Sequence, residues 1–323
     1  MPPTFYSRAI QRALAQEMRR DPSVFVMGED VRQSVMGPTR GLVDEFGPER
    51  IRNTPISEAT IVGAAVGAAA AGMRPVVDLM MGNFLYPALD QVVNQAAKLR
   101  YMMGGQGQFP LVLLAAHGIP GSAAAQHSDS VHPYLMQSGP WTVVAPTTPR
   151  DACGLLSSAI RNPNPVAFLF HNSLGSRKEE LPPDEFLEPL GACRILAEGR
   201  DVTVVANQLM AIRALEAREE LDRRGISIEV VDPRTWHPLD EAGIVASVRK
   251  TGRVLAVDEA RRTSSGGSEV IARVAAAAWG DLLTAPRLLT TPDLPVPFSP
   301  ILEAEIIPSV ERIVTEVEKL AGT

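Results

Sequence analysis

Short apolar, β-branched runs alternate along this chain with longer stretches of helical period. Residues 74–80, 111–115, 142–145 and 166–170 are such runs, and each reads as a buried parallel strand set between helices. The alternation predicts an α/β layout with a covered sheet. Residues 176–190 break the pattern, with five acidic residues and Pro182, Pro183 and Pro189, which is the polar, turn-rich character of a linker. A second alternating region follows, with strands expected at 201–206, 227–231 and 253–257. Its last helix is signalled by Pro308-Ser309 ahead of apolar Val310, Ile313, Val314, Val317 and Leu320. The expected organisation is an α/β domain over 1–175, a linker over 176–190 and a smaller α/β domain over 191–323. No internal period marks a repeat protein.

Composition removes several functional classes. At 323 residues the chain is long for one core and comfortable for two domains. With 45% hydrophobic and 21% charged residues and a net charge of −6, it carries no basic footprint, so no nucleic-acid partner is expected. Cys153 and Cys193 stand 40 residues apart without a CxxC pair or a His-rich cluster, which indicates neither a disulfide framework nor a structural zinc site. A reducing, cytoplasmic compartment is expected. The N-terminus lacks a basic segment followed by an apolar core, and the most apolar later stretch is interrupted by Arg74 and Asp78, so neither targeting signal nor membrane span is expected.

The densest chemical signal is Thr54-Pro55-Ile56-Ser57-Glu58, followed by an Ala/Gly-rich apolar run over 59–72. Two readings of Glu58 stand at this point. It is a first-turn carboxylate behind a Ser57 N-cap, where unpaired amides and the helix dipole favour negative charge. Or it is a carboxylate held at the edge of an apolar pocket, where it can exchange a proton with a ring nitrogen. Gly63, Gly67 and Gly72 fall in the same predicted helix and allow close approach of another helix, either internal or from another subunit. Gly104-Gly105-Gln106-Gly107 reads as a helix C-cap loop rather than a phosphate cradle, since no strand precedes it and no helix opens after it. Among the histidines, His127 is the best candidate for chemistry, because small residues precede it and a polar cluster, Ser128-Asp129-Ser130, follows. The alternative is an ordinary surface or hydrogen-bonded histidine.

Seven ordered segments together resemble a known family: residues 25–31, 44–50, 54–58, 90–98, Gln126-His127-Ser128, Asp232-Pro233-Arg234-Thr235 and Val257-Asp258-Glu259-Ala260. The chain is similar, from about Phe5 to Leu320, to the β subunit of thiamine-diphosphate-dependent 2-oxo acid dehydrogenases, which the pyruvate, branched-chain and acetoin enzymes share. The resemblance implies a pyrimidine-binding domain with a parallel sheet covered by helices, followed by a smaller transketolase C-terminal-type α/β domain. It implies that Glu58 hydrogen-bonds the aminopyrimidine nitrogen of thiamine diphosphate and so activates the thiazolium carbon, and that Phe84 and Ile56 contact the cofactor. It implies for His127 a role in proton donation or stabilisation during acyl transfer. The family's Gly-Asp-Gly motif for diphosphate and Mg2+ lies on the α subunit and is absent here, where Gly280-Asp281 is followed by Leu282. The implied assembly is two α and two β chains acting on a 2-oxo acid, with a lipoyl-bearing acyltransferase as acyl acceptor and no magnesium ligand on this chain. Ala159, Ile160, Asn162 and Asn164 match a segment that offers carbonyl oxygens to K+ in some relatives, although a plain turn at Asn162-Pro163-Asn164-Pro165 also explains them.

Some positions depart from that pattern. Gln137 stands where a second channel histidine is common, Phe170 where many relatives have Glu, and Asn207-Gln208-Leu209 where a small, Gly-containing turn is usual. Residues 115–118 also lack the Arg-Thr-Pro-like run of many relatives. Glutamine cannot relay a proton at neutral pH. Three alternatives follow: a thiamine enzyme transferring its acyl group to a small acceptor, a non-catalytic structural or regulatory β subunit, and a nucleotide-binding oxidoreductase. The last lacks its strand, Gly-rich turn and helix fingerprint.

Overall fold

A computed structural model describes residues 3–322. They form two compact units, one comprising the chain up to His117 with Tyr134–Leu190, the other Gly118–Pro133 with the chain from Gly191 on.

In the first unit, parallel strands lie in the order Thr142–Val144, Val166–His171, Val112–His117, Arg74–Met81, Val24–Gly28 and Ile51–Asn53. Val24–Gly28, Val112–His117 and Val166–His171 are buried at every position. A strand covered on both faces needs a continuous apolar run, and these sequences supply one. Helices Tyr6–Arg20 and Pro149–Arg161 pack together, and their contact encloses Glu17, which is 1% exposed and bonded to Arg161 at 2.7 Å and Arg20 at 2.9 Å. Helix Glu58–Ala70 packs on strand Arg74–Met81, burying Ile61, Val62, Ala65, Val66 and Ala69.

The segment 176–190 is stitched to this unit and is not a free linker. Lys178–Glu179 pairs with Thr4–Phe5, Arg12 donates to the Pro182 carbonyl at 2.6 Å, and Arg150 bonds Glu188 at 2.8 Å. Its prolines withhold amide donors but leave carbonyls for Arg12, which is why a linker-like composition can form a strap.

The second unit is built on a sheet of order Arg287–Thr291, Val254–Arg261, Val202–Ala206, Ile228–Asp232 and Arg194–Ala197, parallel except at the last, antiparallel edge. Helices Gln208–Arg223 and Val310–Ala321 cover it, with Val204, Leu255, Leu221, Ile313 and Val317 in a common core. Ser309 caps the last helix by accepting the Arg312 amide at 3.2 Å. At the departure seen in the sequence, Gln208 takes φ of 51°, a left-handed conformation that suits glycine, and Asn207 donates to Asp232 at 2.8 Å.

Within the 1–175 stretch, residues 118–133 group by their contacts with the second unit. Ile119 packs in the second core, and its amide donates to Glu259 at 2.6 Å. The Ser122 amide donates to Glu303 at 2.7 Å, and Asp129 pairs with Arg261 at 2.7 Å. A segment lacking a strand or helix of its own follows whichever unit satisfies its backbone and charges.

Candidate active site

Glu58 is the first residue of its helix, and Ser57 occupies the N-cap position. The Ser57 hydroxyl does not cap; it donates to the Thr60 hydroxyl at 2.8 Å, leaving the first-turn amides uncovered. Gly72 lies beyond the helix, where its φ of 89° turns the chain, rather than on the helix face with Gly63 and Gly67.

Beside Glu58 lies a cavity of about 230 Å³ lined by Ile56, Ile61, Leu79, Met80, Phe84, Glu29 and Asp78. Three of the residues singled out in the sequence, Glu58, Ile56 and Phe84, therefore meet in one place. Ile56 is 79% exposed, an apolar side chain left at the cavity rim. The floor is shaped by a bulge in strand Arg74–Met81, where the register against Val112–His117 shifts between Asp78 and Met81 and Met80 takes φ of 58°. Asp78 closes that bulge by accepting the Met80 amide at 2.8 Å. Gly28 lets the neighbouring strand approach: a Cβ there would lie 2.3 Å from the Asp78 carbonyl oxygen.

Two carboxyls in this cavity were not assigned from sequence. Burial pushes Asp78 up to about 6 against the opposing Met80 amide. Burial, then the neighbouring Asp30, also raises Glu29. An acid inside an apolar strand run was the available signal for Asp78, since a buried carboxylate is costly without a reason.

The apolar walls, the Phe84 ring and the Glu58 carboxylate suit a flat heteroaromatic ring with a protonatable nitrogen, and so fit the aminopyrimidine of thiamine diphosphate.

His127 belongs to the second unit, in the segment Gly118–Pro133. It is exposed, and its amide donates to the Ala124 carbonyl at 3.4 Å in a turn where Ser122 and Ala124 both have positive φ. The anchor of this segment is His132, which the sequence reading passed over. Its Nε2 lies 3.2 Å from Asp258 and its ring stacks on Trp236 at 4.8 Å, all buried. Burial pushes the Asp258 carboxyl up, but the attraction of His132 and the Ala260 and Gly267 amides together hold it below the usual range.

The carbonyls of Ile160 and Asn162 already accept from the Arg74 guanidinium, at 2.8 and 3.4 Å, while Asn162 bonds the Ala159 carbonyl and the Asn164 amide. A guanidinium thus takes the Ile160 and Asn162 carbonyls expected for K+, so the set fits a potassium ion poorly. Cys153 and Cys193 are free thiols, pushed up to about 11 and about 12 by burial, with Asp240 adding to the second. Among the described residues no helix is long and apolar enough to cross a membrane.

Residues 4–177 match the transketolase pyrimidine binding domain and residues 191–313 the transketolase C-terminal domain. The chain is 41% identical to the acetoin:2,6-dichlorophenolindophenol oxidoreductase subunit beta of Bacillus subtilis (strain 168), over 98% of this chain and 96% of that one. It is 41% identical to the pyruvate dehydrogenase E1 component subunit beta of Rhizobium meliloti (strain 1021), over 96% of this chain and 68% of that one. With the 2-oxoisovalerate dehydrogenase subunit beta of B. subtilis the identity is 38% over 98% of both. A solved structure described as a split gene transketolase, an inactive beta4 tetramer, shares the fold with a TM-score of 0.78 at 24% identity, covering 98% of both chains. The chain belongs to the transketolase-type β subunits of the 2-oxo acid and acetoin dehydrogenases.

Proposed function

We propose that this chain is the β half of a thiamine-diphosphate-dependent 2-oxo acid dehydrogenase, decarboxylating a 2-oxo acid or cleaving acetoin and passing the acyl group to a lipoyl domain. The observation that carries the reading is the Glu58 carboxylate on the wall of an apolar cavity beside Phe84. In this role Glu58 would hold a proton against the cofactor's ring nitrogen, while Phe84 and Ile56 would supply apolar contact to the ring. When bound, thiamine diphosphate supplies the carbanion and the electron sink that no side chain offers. The apolar lining keeps water from competing for the Glu58 proton. His127 is assigned to proton donation during acyl transfer, on an exposed turn held by the buried His132–Asp258 pair.

The diphosphate and Mg2+ fall to an α subunit, since this sequence carries no Gly-Asp-Gly, and the assembly is taken as two α and two β chains in the cytoplasm. Gln137 and Phe170 favour one second reading, transfer to a small acceptor without a lipoyl partner.

Mild affinity purification of the chain from its host, with mass spectrometry of what accompanies it, tests both. An α-like chain with a lipoyl-bearing acyltransferase supports the dehydrogenase. The α-like chain alone supports the small acceptor. A stable chain purifying by itself removes the split-site reading.

A further inference from the structure

A second cavity, of about 380 Å³, opens in the first unit away from the Glu58 pocket and shares no lining residue with it. Its walls carry Arg8, Arg40, Ser7, His171 and Asn172 over apolar Phe170 and Val35. No carboxylate lines it. Gln11 ties the two arginine-bearing segments together, accepting from the Arg8 guanidinium at 2.6 Å and donating to the Arg40 carbonyl. Neither guanidinium pairs with an acid among the described residues, whereas most other arginines of this unit do or are tied to main-chain carbonyls. The His171 Nδ1 accepts the Ser173 amide at 3.2 Å, which fixes the ring at the base of the cavity. The cavity is thus a concave surface with polar walls and two positive charges.

We propose that this cavity binds a small organic oxyanion, a phosphate ester or a carboxylate, with Arg8 and Arg40 clasping the anionic group and Phe170 and Val35 meeting the rest. Guanidinium groups recognise both kinds of oxyanion through paired N–H donors, and charge-assisted bonds of this type are the strong ones. Two cations lining one cavity with no counter-charge in its walls favour an anion there. The site stands whether or not the thiamine reading does, since it uses neither Glu58 nor the second unit.

The test is isothermal titration calorimetry on the chain with the partner it purifies with, at constant ionic strength and with saturating thiamine diphosphate and Mg2+, so that no diphosphate site is open. The probes are inorganic phosphate and malonate, against chloride. The expected result is saturable binding of at least one probe, weakened about tenfold or more by Arg8→Ala and by Arg40→Ala. Val35→Glu, an exposed position that would place a carboxylate at the same mouth, should abolish it without unfolding the chain. Tighter phosphate binding would identify a phosphate ester as the ligand class, and tighter malonate binding a carboxylate. Binding that is not saturable, or that is equal in wild type, Arg40→Ala and Val35→Glu, overturns the proposal.

Discussion

Asp78→Asn should gain stability over wild type on going from acid to alkaline pH. The side chain is 5% exposed in an apolar cavity, and burial moves its carboxyl from an unfolded value of 3.8 to about 6. The folded chain therefore holds the Asp78 proton more tightly than the unfolded chain does. Its contribution to stability is complete below about pH 4 and is lost as pH rises through about 6. A displacement of roughly two units corresponds to about 3 kcal/mol at pH 8, where the carboxylate is ionised inside the cavity. Asparagine keeps an oxygen for the Met80 amide, now accepted at 2.8 Å, and removes the charge. Any cost of its uncovered amide group appears equally at every pH, so the diagnostic quantity is the pH-dependent difference. For a unit of this size about 2–4 °C of Tm accompanies each kcal/mol, so the variant should gain several degrees on wild type between pH 4.5 and pH 8. Scanning calorimetry without added cofactor reads this directly. An identical Tm offset at the two pH values would mean that Asp78 is ionised equally in the folded and unfolded states, with no raised carboxyl in the cavity.

Further outcomes follow from the same geometry. His132→Ala leaves the Asp258 carboxylate, 2% exposed on its side chain, without its imidazole partner, which should cost about 1–3 kcal/mol and change the fluorescence of Trp236. Because His132 and two amides hold the Asp258 carboxyl below its usual range, that contribution is present at neutral pH and disappears as pH falls through the depressed value; in the variant the loss should begin at higher pH. Gly28→Ala puts a Cβ 2.3 Å from a main-chain oxygen, so the two strands must part, and the Tm and cofactor affinity should both fall. His127→Ala should slow acyl transfer to the acceptor while leaving cofactor affinity within about twofold, as titration and steady-state rates would separate; an unchanged overall rate removes His127 from the reaction.

The strands at 166–170 and 253–257 were legible because fully buried parallel strands are written as unbroken apolar runs, and Val166–His171 and Val254–Arg261 stand there. Val24–Gly28 and Ile51–Asn53 were not called strands from sequence, being runs of five and three residues too short for periodicity to separate strand from helix. The Gly118–Pro133 segment was illegible for a different reason. Its partners Glu259, Glu303 and Asp258 lie 126 to 181 positions away, and nothing local announces them. Glu58 could be found by its setting at the head of an apolar helix, but the cavity beside it takes Glu29 from the turn after strand Val24–Gly28 and Asp78 from strand Arg74–Met81, a juxtaposition made by the sheet pairing. The Asn162-Pro163-Asn164-Pro165 turn was readable as a turn, whereas its occupation by Arg74, 86 positions from Ile160, was not.

In the proposed reaction Glu58 exchanges a proton with the cofactor's pyrimidine and thereby activates it. The most direct measurement is the hydrogen–deuterium exchange rate of the thiazolium C2 proton of bound thiamine diphosphate, followed by NMR in the assembled protein for wild type and Glu58→Ala. The variant should assemble and bind the cofactor but exchange that proton about 10²–10⁴ times more slowly. Exchange at the wild-type rate in a fully loaded Glu58→Ala protein would contradict that role for Glu58.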